Sequence, residues 1–360
     1  MPDARRLRDL LIGRILATGP LTIADYMADC LLHPSLGYYS TRDPFGTGGD
    51  FITAPEISQM FGEMLGLCLA QVWIDQGRPK LFSLVELGPG RGTLMADVLR
   101  ATRAVPGFVT AARVHLVEAS ETLRQIQADT LFGYDVIWHD TVNDLPDLPT
   151  FLLANEFLDA LPVRQHVRDG NTWRERLVTE TEGALSFALG PAMPVPELNY
   201  HNVPAPLPDG TLVERCPALP GIVGTVASRV ARGGTAIFVD YGHWRSRGDT
   251  LQALRNHTPE DPLAHPGQAD LTAHVDFEAI ARATPASLCS VSAMISQGVI
   301  LERLGITARA QALAQSMGGA RLNAHVAAHR RLTHPSDMGD LFKAMALVPV
   351  GAALPPGFDQ

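Results

Sequence analysis

Lysine, paired cysteines and long apolar runs are scarce or missing in this sequence of 360 residues. No run of about 18 apolar residues occurs, so the sequence predicts no membrane-spanning helix. The four cysteines are widely spaced and form no CxxC pair, which argues against a zinc site or a disulfide framework and indicates a reducing compartment. Lys80 and Lys343 are the only lysines. Arginine carries the positive charge, a bias typical of a GC-rich bacterial genome.

Clustered basic residues are also missing. The formal net charge is -9, with 46% hydrophobic and 19% charged residues, the balance of a soluble globular protein. Because nucleic-acid binding needs clustered Lys and Arg, we expect no nucleic-acid partner, and an acidic chain is better matched to a cationic substrate. Arg5, Arg6 and Arg8 precede only a short apolar stretch, which argues against a secretory signal. An organellar presequence is the alternative, but Asp3 and Asp9 dilute the positive charge, so a surface helix is favoured. We expect the chain in the cytoplasm if it is bacterial and in the mitochondrial matrix if it is eukaryotic.

The apolar pattern predicts an α/β fold. Helical periodicity covers residues 5–17 and 56–76, and a long loop rich in Gly, Pro and Asp lies between them. From residue 82, short strands alternate with helices, which predicts a doubly wound, mostly parallel sheet. Residues 163–214 break this alternation with turn residues and β-prone runs, so we expect an inserted antiparallel β region there.

A glycine-rich turn follows the first of these strands. It contains Glu86, Gly88, Gly90 and Gly92. Glycines let the backbone turn tightly and approach a ligand, and the N–H groups of the following helix can bind the carboxylate of S-adenosylmethionine. The glycine spacing differs from the dinucleotide fingerprint GxGxxG, which disfavours an NAD-dependent dehydrogenase. An ordinary strand-to-helix turn is the alternative.

Acidic residues end the next two strands. Glu118 lies about one βαβ unit after the turn, where a carboxylate can accept hydrogen bonds from both ribose hydroxyls. Asp140 ends the third strand, where it can accept the adenine amino group. The alternatives are a solvated strand end for Glu118 and a capping role for Asp140.

Polar residues follow the fourth strand, and these are the candidates for catalysis. Asn155, Glu156 and Asp159 lie beyond its carboxyl end, where ligands bind in a doubly wound sheet. Glu156 with Asp159 can hold a planar guanidinium group by paired hydrogen bonds, and a short helical turn would put Asn155 and Asp159 on one face. Helix capping is the alternative for Asp159. Asp240 and Tyr241 end the next strand and are further candidates for substrate contact.

Two histidines and two aspartates within residues 265–276 invite a metal interpretation, but they follow no recognised metal spacing. We therefore predict no metal site, and Asp276 is interpreted as the N-cap of the following helix.

Together these segments resemble the MidA-like family, whose mitochondrial members are respiratory complex I assembly factors with protein arginine methyltransferase activity. The resemblance rests on residues 49–58, 86–93, 155–162 and 270–277, with further matches at 296–298 and near 338. It implies a class I methyltransferase fold with a seven-stranded sheet, N-terminal helices and an insert. It also implies that Gly49, Asp50 and Phe51 lie against the cofactor as part of a covering loop. From its position beyond the fourth strand, Asn155 is a further candidate for the cofactor site.

The resemblance and the pattern together give four expected regions. These are an N-terminal helical segment with the covering loop (1–78), a first half of the cofactor domain (79–162), a β-rich substrate region (163–215) and a second half with added helices (216–360). The expected function is methylation of an arginine side chain in a protein, with a complex I subunit as a candidate substrate. A small-molecule methyltransferase, with Asp240 or His243 as general base, and an assembly chaperone that binds the cofactor without much catalysis are the alternatives. A homodimer is permitted by the sequence but not established by it.

Overall fold

The computed structural model describes residues 2–41, 53–195, 198 and 207–358, which form two compact units. The insert unit comprises the described residues of Met1–Pro44, Asp159–Leu219 and Arg245–His274. The sheet unit comprises those of Phe45–Leu158, Pro220–Trp244 and Val275–Gln360.

The helices and strands follow one another along the described part of the chain. In order they are α1 (Pro2–Thr18), β1 (Leu21–Thr22), α2 (Ile23–Leu32), α3 (Tyr38–Thr41), α4 (Ala54–Ile57), α5 (Gln59–Asp75), β2 (Phe82–Leu87), α6 (Thr93–Thr102), α7 (Phe108–Ala111), β3 (Ala112–Val117), α8 (Glu121–Thr130), β4 (Val136–His139), β5 (Thr150–Asn155), β6 (Arg164–Asp169), β7 (Thr172–Thr181), β8 (Ala184–Met193), β9 (Leu212–Arg215), α9 (Leu219–Val230), β10 (Gly234–His243), β11 (Gln252–Arg255), β12 (Thr258–Glu260), β13 (Asp270–Thr272), β14 (Val275–Asp276), α10 (Phe277–Ala283), β15 (Cys289–Val291), β16 (Ile295–Ser296), α11 (Gln297–Arg303), α12 (Ile306–Ala314), α13 (Gly319–Thr333), α14 (Met338–Leu341) and β17 (Phe342–Pro349).

The sheet unit is built on one mixed sheet. Its continuous path runs β15-β17-β10-β5-β2-β3-β4, and the short strands β14 and β16 pair with β10 and β17. The five strands β4, β3, β2, β5 and β10 are parallel, whereas β17 runs antiparallel to both of its neighbours on the path. The predicted mostly parallel, doubly wound sheet is therefore confirmed, with seven strands on the path. The chain winds outward from β2 in both directions. In sheets of this kind the ligand crevice lies at the carboxyl ends of the strands where the winding reverses, here β2 and β5.

Alternation along the strands sets which side chains reach the core. Leu84 of β2, Leu116 of β3 and Leu153 of β5 face one hydrophobic core, which also holds Leu65 and Leu69 of α5. Because side chains alternate between the two faces of a strand, the residue two positions further along each strand points to this same face. Those residues are Glu86 in β2 and Asn155 in β5, and Glu118 directly follows the end of β3.

The insert unit contains antiparallel sheets. One has the order β1-β7-β6-β9 with β8 on β7, and a smaller one has the order β12-β11-β13. The predicted antiparallel region at 163–214 is confirmed by β6 to β9, with a core of Trp173, Val195, Leu198 and Val213. The smaller sheet was not anticipated, because its short strands are separated by turn residues.

The prediction of a helical turn after β5 is wrong. The residues between Asn155 and Arg164 form bends and turns, and the next regular element is the strand β6. Glu156 has a left-handed backbone with φ of 51°, which ends the strand without starting a right-handed helix. No helix among the described residues is long and apolar enough to cross a membrane.

Candidate functional site

The turn after β2 has the backbone that its glycines predict. The φ values are 60° at Gly88, 54° at Gly90 and 80° at Gly92, all in the left-handed region that favours glycine. The Gly88 N–H donates to the carbonyl oxygen of Val117 at 3.0 Å, so the turn lies directly beside the end of β3. A Cβ atom at Gly88 would come within 2.8 Å of Phe157 Cδ2, a distance that real Cβ contacts do not reach. Gly88 is therefore required by both conformation and space.

Glu86 is an almost completely buried acid at the end of β2. It is 3% exposed, and its carboxylate accepts a hydrogen bond from the backbone N–H of Met95 in α6. Burial raises the pKa of Glu86 well above its usual range, the Met95 hydrogen bond opposes this, and the negative charge of Glu118 raises it further. The two acids therefore lie close enough to interact.

Glu118 lies where the sequence predicts it, directly after β3. One carboxylate oxygen accepts from the Ser120 N–H at 2.8 Å, and the other accepts from Gln127 Nε2 at 3.2 Å. Burial raises the pKa of this carboxyl group, while these hydrogen bonds lower it. The donors hold the carboxylate in one orientation at the edge of the crevice.

Gln127 and Arg124 of α8 also belong to this region, and sequence reasoning missed both. Gln127 is completely buried and donates to the Gly90 carbonyl oxygen at 2.8 Å as well as to Glu118. Arg124 donates through Nε to the Glu118 carbonyl oxygen at 2.8 Å and through Nη2 to Asp140 at 2.5 Å. Asp140 is thus placed after β4 as predicted, with its side chain 81% exposed. Because α8 is polar along most of its length, the sequence does not show that Arg124 and Gln127 are the polar residues that contact the strand ends.

Asn155 ends β5 beside the glycine turn, and Glu156 follows it directly. Asn155 Nδ2 donates to Glu156 Oε1 at 3.1 Å, and the Ala54 N–H donates to the same oxygen at 3.1 Å. The left-handed φ of 51° at Glu156 is uncommon for a residue with a side chain, and such conformations cluster at functional sites.

The segment around α4 is tied to both sides of this crevice. Its Ala54 N–H binds Glu156, and Glu56 accepts a hydrogen bond from the Thr93 hydroxyl at the start of α6. Arg91 lies 3.9 Å from the Glu56 carboxylate. Residues 53–58 of the segment that carries the family resemblance are therefore positioned at the site. Gly49, Asp50 and Phe51 lie outside the described residues.

Asp240 and Asp159 are placed differently from Glu156. Asp240 is buried on the opposite face of β10 from the core residues Ile237 and Val239, and its carboxylate accepts the N–H groups of Leu158 at 2.9 Å and Tyr241 at 3.0 Å. Asp159 belongs to the insert unit, where it is buried and its carbonyl oxygen accepts the Ala273 N–H at 3.0 Å. The pairing of Glu156 with Asp159 and a catalytic role for Asp240 stay predictions.

The polar cluster at 265–276 resolves into local contacts. Asp276 caps α10 by accepting the Ala279 N–H at 3.0 Å, which confirms its predicted role. Asp270 accepts the Tyr39 hydroxyl at 2.8 Å, and His265 lies 3.0 Å from Glu260. In the part of the chain that the structure describes, no three His, Cys, Asp or Glu side chains are grouped as metal ligands.

The site's donors and acceptors fit an amino-acid nucleoside. Glu86 Oε2 and Asn155 Oδ1 are buried acceptors without a hydrogen-bond partner among the described residues, on the same face of neighbouring strands. Buried acceptors of this kind suit an ammonium group. The helix that begins after Gly92 offers backbone N–H groups to a carboxylate, and Glu118 offers oxygens to sugar hydroxyls.

Comparison with known proteins gives a consistent picture. Residues 64–294 match the sequence model of a family described as "Putative S-adenosyl-L-methionine-dependent methyltransferase". The chain is 36% identical to protein arginine methyltransferase NDUFAF7, mitochondrial, of Danio rerio, over 94% of this chain and 86% of that one. The Homo sapiens protein of the same name is 35% identical over 97% and 84%. A crystal structure of a Burkholderia thailandensis protein bound to S-adenosyl-homocysteine superposes with a TM-score of 0.87 at 30% identity, covering 99% of this chain and 95% of that one.

Proposed function

Because this chain belongs to the family of S-adenosyl-L-methionine-dependent methyltransferases, we propose that it methylates an arginine side chain of a protein substrate. The observation that carries the proposal is the 36% identity, over 94% of the chain, to a relative named as a protein arginine methyltransferase. S-adenosyl-L-methionine is the cofactor, and it supplies an activated methyl group on a sulfonium. The chain's own residues must bind it, orient the acceptor and take up the acceptor's proton.

The cofactor's parts are assigned to the ends of four strands. The turn Gly88–Gly92 and the start of α6 hold the methionine carboxylate, and Glu86 with Asn155 accepts from the ammonium group. Glu118 accepts from the ribose hydroxyls, and Asp140 accepts from the adenine amino group. The support is the position of these groups at the carboxyl ends of β2, β5, β3 and β4.

Glu156 is assigned to the acceptor. Its Oε1 atom is held by two N–H donors, from Ala54 and Asn155, so the carboxylate is fixed in orientation before any substrate binds. A fixed carboxylate can hold a guanidinium nitrogen in line with the methyl group and accept its proton as the new bond forms. Asp159 is assigned as a second carboxylate for the guanidinium group. Asp240 is assigned as a contact to the substrate.

A complex I subunit is the proposed protein substrate, and the support for it is the resemblance of this chain to assembly factors of that complex. We also propose that the chain acts as a homodimer. The proposed compartment is the bacterial cytoplasm, or the mitochondrial matrix in a eukaryote.

A labelling experiment tests the function. The purified protein is incubated with a cell extract and S-adenosylmethionine that carries an isotope-labelled methyl group, and the products are analysed by mass spectrometry. We expect label on an arginine of one or a few proteins, and no such label with the Glu156→Gln variant. Label on a small molecule instead would overturn the protein substrate, and label on another residue type would overturn arginine.

A further inference from the structure

The side chain of Gln127 links the ends of three strands. Its Nε2 atom donates to the Gly90 carbonyl oxygen at 2.8 Å and to Glu118 Oε2 at 3.2 Å. Its Oε1 atom accepts from Trp138 Nε1 on β4 at 2.9 Å. One buried amide therefore connects the glycine turn after β2, the acid after β3 and the strand β4.

The partners fix the orientation of this amide. The indole N–H of Trp138 can only donate, so it selects the amide oxygen. The Gly90 carbonyl and the Glu118 carboxylate accept, so they select the amide NH₂ group, and each of its two hydrogens has one partner. Every polar atom of Gln127 is thus used, at a position with no exposed surface. A buried polar group that is fully bonded in this way holds its partners rigidly.

From this geometry we propose that Gln127 is a positioning residue for the cofactor. It sets the distance between the turn that holds the methionine part and the carboxylate that holds the ribose, and Trp138 sets the orientation of Gln127. Because the cofactor bridges the same two groups, a pre-set distance lowers the ordering cost of binding. The inference rests on the proposed placement of the cofactor at Gly90 and Glu118.

The main test is Gln127→Met, which keeps the side chain's length and removes all three hydrogen bonds. The measurement is the Kd of S-adenosylhomocysteine by calorimetry, so no acceptor is needed. We expect the Kd to rise about tenfold or more, since bonds to a charged group and a buried carbonyl are lost. We also expect the KM for S-adenosylmethionine to rise while kcat at saturating cofactor stays within about threefold.

Gln125→Met is the matched control, because Gln125 lies on the exposed face of the same helix. It should leave the Kd unchanged. A merely structural role for Gln127 would lower the thermal midpoint of the free protein and leave the Kd as in the unsubstituted protein, and that result would overturn the proposal.

A second variant covers the case in which Gln127→Met does not fold. Gln127→Glu keeps shape and the acceptor for Trp138, but an ionised carboxylate cannot donate to Gly90 or Glu118. Protonation of the new carboxyl group restores one donor, so its Kd should approach that of the unsubstituted protein as the pH is lowered from about 8 to about 5.5. A Kd that is normal at both pH values, or weak without pH dependence, would contradict the proposal.

Two site variants separate this inference from the placement on which it rests. If Gly90→Val and Glu118→Gln bind S-adenosylhomocysteine normally, the placement itself is wrong. If those two lose binding while Gln127→Met retains it, the placement stands and only the role of Gln127 is refuted.

Discussion

At the residue scale, the glycine turn shows how strongly a single position can depend on its backbone conformation. Gly90 has φ of 54°, where a branched side chain is strained, and its carbonyl oxygen faces the buried amide of Gln127. Gly90 also lies within the turn that is assigned to the cofactor. Position 90 is therefore the most direct test of that assignment.

We expect Gly90→Val to abolish binding of S-adenosylhomocysteine, with the Kd beyond the range of calorimetry. Gly77→Val is the control, because Gly77 also has a positive φ of 82°, but a Cβ atom added there would meet no other atom within 4 Å. Gly77→Val strains the backbone away from the site, so we expect this variant to bind S-adenosylhomocysteine normally. Undiminished binding by Gly90→Val would place the cofactor elsewhere.

Glu156 is expected to act on the acceptor and not on the cofactor. Glu156→Gln retains an oxygen that can accept from Ala54 and Asn155, but it loses the charge that a guanidinium group needs. We predict a Kd for S-adenosylhomocysteine within about twofold of the unsubstituted protein and a fall of about 100-fold or more in kcat. The matched control is Glu182→Gln, an exposed glutamate that also has a left-handed backbone, with φ of 53°. Normal turnover by Glu156→Gln on the identified substrate would rule out this role.

At the element scale, the neighbouring strands β3 and β4 carry a histidine pair. His115 Nδ1 lies 2.9 Å from His139 Nε2, and His115 is buried. Burial, and then the proximity of His139, lowers the pKa of His115 to about 4, and burial lowers that of His139 as well. The pair is therefore neutral in the folded protein at pH values where the unfolded chain would already be protonated.

This pairing predicts a loss of stability in mild acid. The folded pKa of His115 lies below its unfolded value of about 6.5, so the unfolded state takes up more protons as the pH falls below that value. We expect the free energy of unfolding to fall by about 2 kcal/mol between about pH 7 and pH 4.5 from this residue, measured by urea denaturation. His115→Gln should reduce the fall, and His257→Gln, at an exposed turn, should not. An unchanged pH profile in His115→Gln would contradict the prediction.

The elements that the sequence predicts correctly are those that depend on a local pattern of residues. The strands β2, β3 and β5, the turn between Gly88 and Gly92 and the antiparallel insert follow from apolar periodicity and glycine placement. The role of Gln127 could not be read, because its partners Gly90 and Trp138 are far away in sequence and meet only once the parallel sheet has formed. The left-handed backbone of Glu156 was equally hidden, since glutamate carries no local signal for it.

At the scale of the whole molecule, one ligand should stabilise the protein and a related one should not. S-adenosylhomocysteine at about 100 times its Kd should add about 2.7 kcal/mol to the free energy of unfolding of the part that binds it, and so raise the thermal midpoint. NAD should give no shift, because the glycine spacing and the buried acid Glu86 before the turn differ from a dinucleotide site. A thermal scan with each ligand checks this. If NAD raised the thermal midpoint and S-adenosylhomocysteine did not, the crevice would be a dinucleotide site and our assignment would be wrong.

The close approach of Gly88 to Phe157 ties together two positions that are distant along the chain. A methyl group at position 88 would collide with the Phe157 ring, so a larger residue there has room only if position 157 becomes smaller. In related chains, we therefore expect a side chain at position 88 only where position 157 holds a residue smaller than phenylalanine, and a lineage that keeps the aromatic ring should also keep the glycine.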